Sequence, residues 1–290
     1  MSASLPALTH AVIPVAGFGT RMLPLSKAVP KELLPLGNKP AIQYVIEEAI
    51  AAGLTNIVLV NHAQKMAIEN YFDINSELDT QLRQKGKDAL ADSLNWLPEG
   101  VTITSVRQGK PLGLGHAVLQ ARAVVGDHPF AVLLPDVIVN PYTSDYNSQN
   151  LAFMLSKFNT DNHSQILVDP VADSDISKYG IAKLEAAQKI QKTDANQSYP
   201  VNGFVEKPKL EDAPSNLAVV GRYVFTPQIF DYLAKTEPSV GGEIQLTDAI
   251  DALISTQGVD VVTMVGNSFD AGDMSSYMQA FCYFAEKLAQ

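Results

Sequence analysis

Between residues 11 and 134, short apolar runs alternate with stretches of helical periodicity, and this alternation constrains the fold more than any other feature of the chain. Ala11–Val15, Asn56–Val60 (NIVLV), Val101–Val106 (VTITSV) and Phe130–Leu134 (FAVLL) have the composition of strands, and Asn56–Val60 reads as fully buried. Between the first two, Pro40 opens a segment in which Ile42, Val45, Ile46, Ala49 and Ile50 recur at helical spacing. Gly53 follows where a helix C-terminus favours glycine. Gln64–Phe72 and Gly115–Ala123 read as further helices. Strands and helices in this order predict an α/β protein with a mostly parallel sheet and helices on both faces. Ligands of such sheets bind beyond the carboxyl ends of the strands. The loops after Val15 and after Leu134 are therefore the places to look for chemistry.

After about residue 160 the connections shorten. Gln165–Val168, Gly180–Leu184, Val201–Val205, Ala218–Phe225 and Val259–Val265 read as strands, and Glu243–Ser255 as a helix. Ser275–Ala289 reads as a closing helix. Its stripe of Tyr277, Met278, Phe281, Phe284, Ala285 and Leu288 suits core packing, with Cys282 as a buried filler and part of the stripe available to an oligomer interface. Segments 76–100 and 185–200 are polar and read as surface insertions. No repeat or linker divides the chain, so residues 1–290 are expected to form one domain with halves at 1–160 and 161–290.

Charge excludes several functions. Lys and Arg number 21 against 31 Asp and Glu, a formal net charge of −10, and long nucleic acids need a basic footprint. The single cysteine, Cys282, excludes an intramolecular disulfide and a multi-cysteine zinc site. The opening MSASLPALTH lacks the basic and apolar regions of a signal peptide, and no apolar run is long enough to span a membrane. A soluble, cytoplasmic protein is expected.

The charge is also uneven. Residues 1–40 contain Arg21, Lys27, Lys31 and Lys39 against Glu32 alone, a formal +3, so the other 250 residues sum to −13. Gly17 and Gly19 follow a buried strand in this region, where glycine lets backbone N–H groups approach an anion. Met22 replaces the third glycine of a dinucleotide fingerprint, and no P-loop motif occurs. A basic, glycine-containing loop at a strand end suits a polyphosphate, although any one of its lysines could equally be a solvated surface group.

The stretch AGFGTRMLPLSKAVPKELLPL resembles the signature of the sugar-1-phosphate nucleotidylyltransferases, and its S-K-A-V-P-K-E-L-L-P spacing resembles their bacterial uridylyltransferase subgroup. The resemblance continues through IQYVIEEAIAAG, VRQGKPLGLGHAVL, LLPDVIV, VEKP, APSNLAVVGRYV, GEIQLTDAID and YMQAF, nearly the whole chain. It implies a Rossmann-like sheet of the nucleotide-diphospho-sugar transferase type with small β insertions. It also implies Mg²⁺-dependent transfer of UMP from UTP to glucose 1-phosphate, and a homo-oligomer (dimer or tetramer) without membrane or nucleic-acid partners. The first half would bind the nucleotide and the second the sugar phosphate.

By position in the motifs, the resemblance makes Arg21, Lys31 and Lys207 the catalytic cations. Ala16, Gly17, Gly19, Thr20, Glu32, Gln108 and Gly113 would contact the nucleotide. Gly180, Glu206 and Lys207 would hold the sugar phosphate, and Asp136 and Asp270 the metal. Asn216 and Gly221 would line the sugar pocket, while His116 could as well be a helix-start residue without an ionic role. The stretch DAGDMSSYMQAF departs from the pattern, since relatives carry a Lys where Met274–Ser276 stand. Use of dTTP or another sugar 1-phosphate remains open at this stage. So does a silent regulatory homologue, although such a copy should have lost Arg21 or Lys31.

Overall fold

All nine apolar runs read as strands take part in one sheet in the computed structural model, which describes residues 6–186 and 190–290. Residues 1–5 of the opening segment and residues 187–189 of the 185–200 insertion lie outside the described residues. The strands are β1 His10–Pro14, β2 Asn56–Asn61, β3 Thr102–Arg107, β4 Phe130–Leu133 and β5 Ser164–Pro170. They continue with β6 Gly180–Leu184, β7 Ser198–Glu206, β8 Leu217–Phe225 and β9 Val259–Thr263. Their order across the sheet is β3-β2-β1-β4-β8-β5-β9-β7-β6. β3, β2, β1 and β4 form a parallel block, and β5 and β9 a parallel pair. β8 joins the two, antiparallel to β4 and to β5, and β7 runs antiparallel to β9 and β6.

Side chains alternate along a strand, so the apolar runs feed two cores at once. On one face Ala11, Ile13, Leu59 and Leu133 pack under α1 (Ala41–Ala51), α3 (Leu151–Asp161) and α5 (Met274–Leu288). On the other Val12, Val58, Val60 and Val132 pack under α2 (Leu114–Gln120) and α4 (Leu246–Ile254). The sheet thus runs unbroken through both halves of the chain. No helix among the described residues is long and apolar enough to cross a membrane.

Several local readings change. The 76–100 insertion folds into two short helices, Ser76–Gln84 and Asp88–Leu94. Asn75 caps the first, accepting from Leu78 N at 3.0 Å, and Arg83 ties the two through Asp79 and Asp92. Cys282 is exposed rather than a buried filler. The reason is helical phase: Tyr277, Ala280 and Phe284 face the core at three- and four-residue steps, whereas Cys282 falls between them. Met278 and Leu288, also counted in the stripe, are 46% and 48% exposed. Phe284 anchors this helix, with the rings of Tyr44, Phe269 and Tyr142 at 4.8, 5.6 and 5.9 Å. Phe284→Ala is expected to lower stability by about 3–5 kcal/mol, read from the urea midpoint, because it removes the ring on which three others converge.

Candidate active site

Because β1 and β4 are parallel neighbours, the loops that leave their carboxyl ends emerge side by side. A cavity of about 510 Å³ opens there, and Ala16, Gly17, Gly19, Thr20, Arg21, Lys31, Glu32, Gln108, Gly113 and Asp136 line it. A second, of about 490 Å³, has Gly180, Glu206, Lys207, Gly221 and Asp270 in its wall. Arg21, Leu114, Leu134 and Asp136 belong to both walls. Fifteen of the sixteen residues given nucleotide, sugar, metal or catalytic roles are therefore brought to one place. Lys27, Lys39 and Asn216 are not: neither cavity includes them, and Lys39 pairs with Glu47 at 2.8 Å. A hollow of about 890 Å³ beside Tyr71, Phe72 and Trp96 shares no residue with either cavity.

Asp136 and Asp270 are distant in sequence, and a short antiparallel ladder joins them. Val137–Val139 pairs with Ser268–Asp270, Val137 standing opposite Asp270, and Ala271 N donates to Asp136 O at 2.6 Å. A Cβ at Gly272 would lie 2.8 Å from Asp270 Oδ1, 2.9 Å from Arg21 Nη2 and 3.2 Å from Asp136 Oδ2. Two carboxylates and a guanidinium thus converge on one point. Lys31 Nζ donates to Asp136 Oδ2 at 2.5 Å. Burial opposes ionisation of Asp136, but the charge and hydrogen bond of Lys31, with Arg21 behind them, outweigh it and hold the carboxyl below its ordinary value. Burial, and then the neighbouring Asp136, push Asp270 the other way despite a hydrogen bond from Gly272 N. Two hard oxygen donors that repel each other across a small gap fit a divalent cation that also takes phosphate and water oxygens.

Beneath the glycine loop lies a charged pair that motif reading missed. Lys65 Nζ donates to both oxygens of Glu32 and to Val15 O, each at 2.9 Å. Glu32 and Lys65 are 2% and 7% exposed. Glu32 therefore reaches the cavity wall with its carboxylate already engaged, and the pair ties the loop to the end of β1. Burial pushes the Glu32 carboxyl up, with Lys65 and then Lys31 pulling against it. Lys65→Met should cost about 3–5 kcal/mol at neutral pH, because it leaves a buried carboxylate unpaired. The sign of its pH dependence follows from Glu32. A folded-state pKa raised further above the unfolded value, about 4.3, costs nothing where the group is protonated in both states. The penalty then grows as pH rises toward the folded value. Denaturant titrations of wild type and variant from pH 4 to pH 8 should show the two curves diverging upward.

Gln108 is held by its amide. Its Nε2 donates to Gly113 O at 3.1 Å and faces His116 Nδ1 at 3.0 Å. These two acceptors direct the nitrogen inward and leave Oε1 without a protein partner among the described residues. Burial, and secondarily Lys110, lower the His116 pKa and favour the neutral ring whose Nδ1 can accept. His116 therefore supports Gln108 from behind and lies outside both cavity walls. Gly113 has φ +93, and a Cβ there would stand 2.7 Å from Glu243 Cβ, so only glycine fits this turn.

Across the second cavity, Gly180 and Glu206 face each other in the β6–β7 register. Lys207 follows in a left-handed conformation, φ +46, uncommon for a side chain of its kind. Its N donates to Tyr179 O at 3.0 Å, and its exposed ammonium lies 3.6 Å from Glu206 Oε1. Thr247, given no role by the motifs, lines the same cavity with a buried Oγ1 that has no hydrogen-bond partner among the described residues. If the left-handed backbone is kept for the position of the ammonium, Lys207→Gly should fold more stably than Lys207→Ala by about 1 kcal/mol in thermal unfolding, while neither restores activity.

The chain as a whole is similar to known proteins. The nucleotidyl transferase family model matches residues 10–287. A UTP–glucose-1-phosphate uridylyltransferase of Escherichia coli (strain K12) is 52% identical over 282 residues, 97% of this chain and 91% of that protein. Among solved structures, a UTP-bound UGPase from Acinetobacter baumannii superposes with a TM-score of 0.88 at 43% identity, covering 98% of each chain. A UDP-glucose pyrophosphorylase complexed with UDP-glucose gives 0.83 at 35% identity over 97% of this chain and all of the other.

Proposed function

The chain belongs to the nucleotidyl transferase family, and on that premise we propose that it transfers UMP from UTP to glucose 1-phosphate, releasing pyrophosphate and forming UDP-glucose. The observation that carries this reading is the common wall of the two cavities, where Arg21 and Asp136 stand between the glycine loop and Lys207. The names of the relatives, one of them UTP-bound and one complexed with UDP-glucose, point the same way.

The chemistry asks little of a base. A sugar phosphate is largely ionised at neutral pH, since its second pKa is about 6, so its oxygen can attack the α-phosphorus without proton removal. The residues instead align two anions and balance their charge. Arg21, with a planar fork suited to phosphate, and Lys31 bind the triphosphate and the departing pyrophosphate. Lys207 binds the sugar phosphate, and Glu206 accepts hydrogen bonds from sugar hydroxyls. Gly17, Gly19 and Thr20 offer backbone N–H groups. Gln108 Oε1 accepts from the N3–H of uracil and would meet a lone pair on N3 of cytosine, which disfavours CTP. Asp136 and Asp270 would hold Mg²⁺, which when bound neutralises phosphate charge. Residues 1–160 thus serve the nucleotide and 161–290 the sugar phosphate. A cytoplasmic setting suits these substrates. Met278 and Leu288, exposed on α5, offer apolar surface for a dimer or tetramer.

Pyrophosphate release with Mg²⁺, a nucleotide panel and a sugar 1-phosphate panel tests the assignment. UTP with glucose 1-phosphate should give the highest kcat/KM, and a tenfold preference for dTTP would overturn the uridylyl reading. Lys207→Ala should reduce turnover about 10²–10³-fold with the circular dichroism spectrum unchanged; near-normal activity would remove Lys207 from the sugar-phosphate role. Gln108→Leu, which removes the acceptor oxygen, should lose discrimination between UTP and CTP.

A further inference from the structure

Arg222 is the bulkiest side chain among those fully buried in the described residues, and the roles assigned above leave it unused. β8 changes register around it. Val219 faces Val168 of β5 but Tyr223 faces Ile166, so residues 220–222 stand against one residue of the neighbouring strand. The apex of this bulge is Gly221, φ +70, where a Cβ would press on the Leu134 side chain at 2.9–3.0 Å. Bulges re-aim side chains, and this one turns Arg222 inward.

All five guanidinium N–H groups can be accounted for. Nε donates to Glu48 Oε1 and Oε2 at 3.2 and 3.1 Å, and Nη2 to Glu48 Oε2 at 2.8 Å. Nη1 donates to Leu134 O and Gly221 O, both at 3.2 Å, and Nη2 to Val137 O at 2.8 Å. Leu134 and Val137 flank Pro135–Asp136. The fork therefore grips the Asp136 turn at both ends, while Leu134 N returns a bond to Gly221 O at 2.9 Å. Glu48, 1% exposed on α1, fixes the plane of the fork. A buried ion pair is often no more stabilising than apolar residues of the same volume, so stability alone is a poor reason for this one. Its fully used donors and its grip on one turn supply another.

We propose that Arg222, oriented by Glu48, is a positioning residue for Asp136: it fixes the Leu134–Val137 turn so that the carboxylate faces Asp270, and so sets the affinity of the pair for a divalent cation. The proposal rests on the reading of Asp136 and Asp270 as the metal pair. Lysine keeps the charge but has no planar fork to span Glu48 and both carbonyls. Arg222→Lys is therefore the informative change, with the nearly isosteric Glu48→Gln as a second variant.

The test is binding of Mn²⁺ to the intact protein without nucleotide, because UTP itself chelates Mn²⁺, followed by loss of the free-ion electron paramagnetic resonance signal. Either variant, shown folded by circular dichroism, should bind Mn²⁺ about 10–100-fold more weakly. Its affinity for UTP in chelator, read by equilibrium dialysis, should stay within twofold of wild type. Folded variants that bind Mn²⁺ as tightly as wild type overturn the proposal. Asp136→Asn separates the two claims: if it still binds Mn²⁺ fully, the metal reading fails first, whereas loss in Asp136→Asn with retention in Arg222→Lys refutes only the positioning role. Amide exchange in the wild-type protein is independent of any variant folding. The Leu134 and Val137 amides should exchange only through global unfolding, and exchange 10³-fold faster overturns the clamp.

Discussion

Asp136 and Asp270 carry like charge and come from distant parts of the chain, yet the Val137–Val139 and Ser268–Asp270 ladder sets them side by side. Neither burial nor repulsion favours that placement. The surrounding cations make it tenable: Lys31 hydrogen-bonds Asp136, and Arg21 reaches the same point beside Gly272. The outcome is asymmetric, with one carboxyl held low and the other pushed up. The carboxylates stand where the loop after β4 meets the ladder, beside the bulge of β8.

The same balance explains how an acidic protein can handle two anions. Net charge acts at long range and is screened over about 10 Å, whereas the groups lining the two cavities act at contact. Lys31 lines one cavity, Lys178 and Lys207 the other, and Arg21 both. Lys65 lies deeper, where it neutralises Glu32 and steadies the glycine loop without facing either cavity. Cations are thus divided between those that line the cavities and those spent on architecture.

The central strands were legible because residues buried on both faces appear as unbroken apolar runs; the exposed edge strand Thr102–Arg107 was legible from its β-branched residues alone. The amphipathic α1 was legible for the corresponding helical reason. Cys282 was misread because a broad apolar stripe does not reveal its own phase, and only packing showed that Phe284 faces inward and Cys282 does not. The 76–100 helices escaped notice because they bury little, relying on an Asn75 cap and the Arg83 pairs. Within the site, motif residues were found because their types and order are distinctive. Lys65, Glu48 and Arg222 were passed over because each bears its meaning through a partner far away in the chain, and Thr247 because only the fold buries its hydroxyl in the cavity wall. One signal was present for the last: an arginine after a glycine inside the apolar strand LAVVGRYVF has to find a buried partner.

The sequence by itself determined the α/β class, the positions of the strands, the uneven charge and the family, because these reside in local pattern and in the order of distinctive residues. Tertiary structure decided which acids meet across the ladder, which lysines line the cavities and which are consumed by Glu32 or Glu47, and which way the Gln108 amide points. Those outcomes depend on distances between residues remote in the chain. Burial strengthens a Coulomb interaction or a hydrogen bond only once folding has brought its partners into contact.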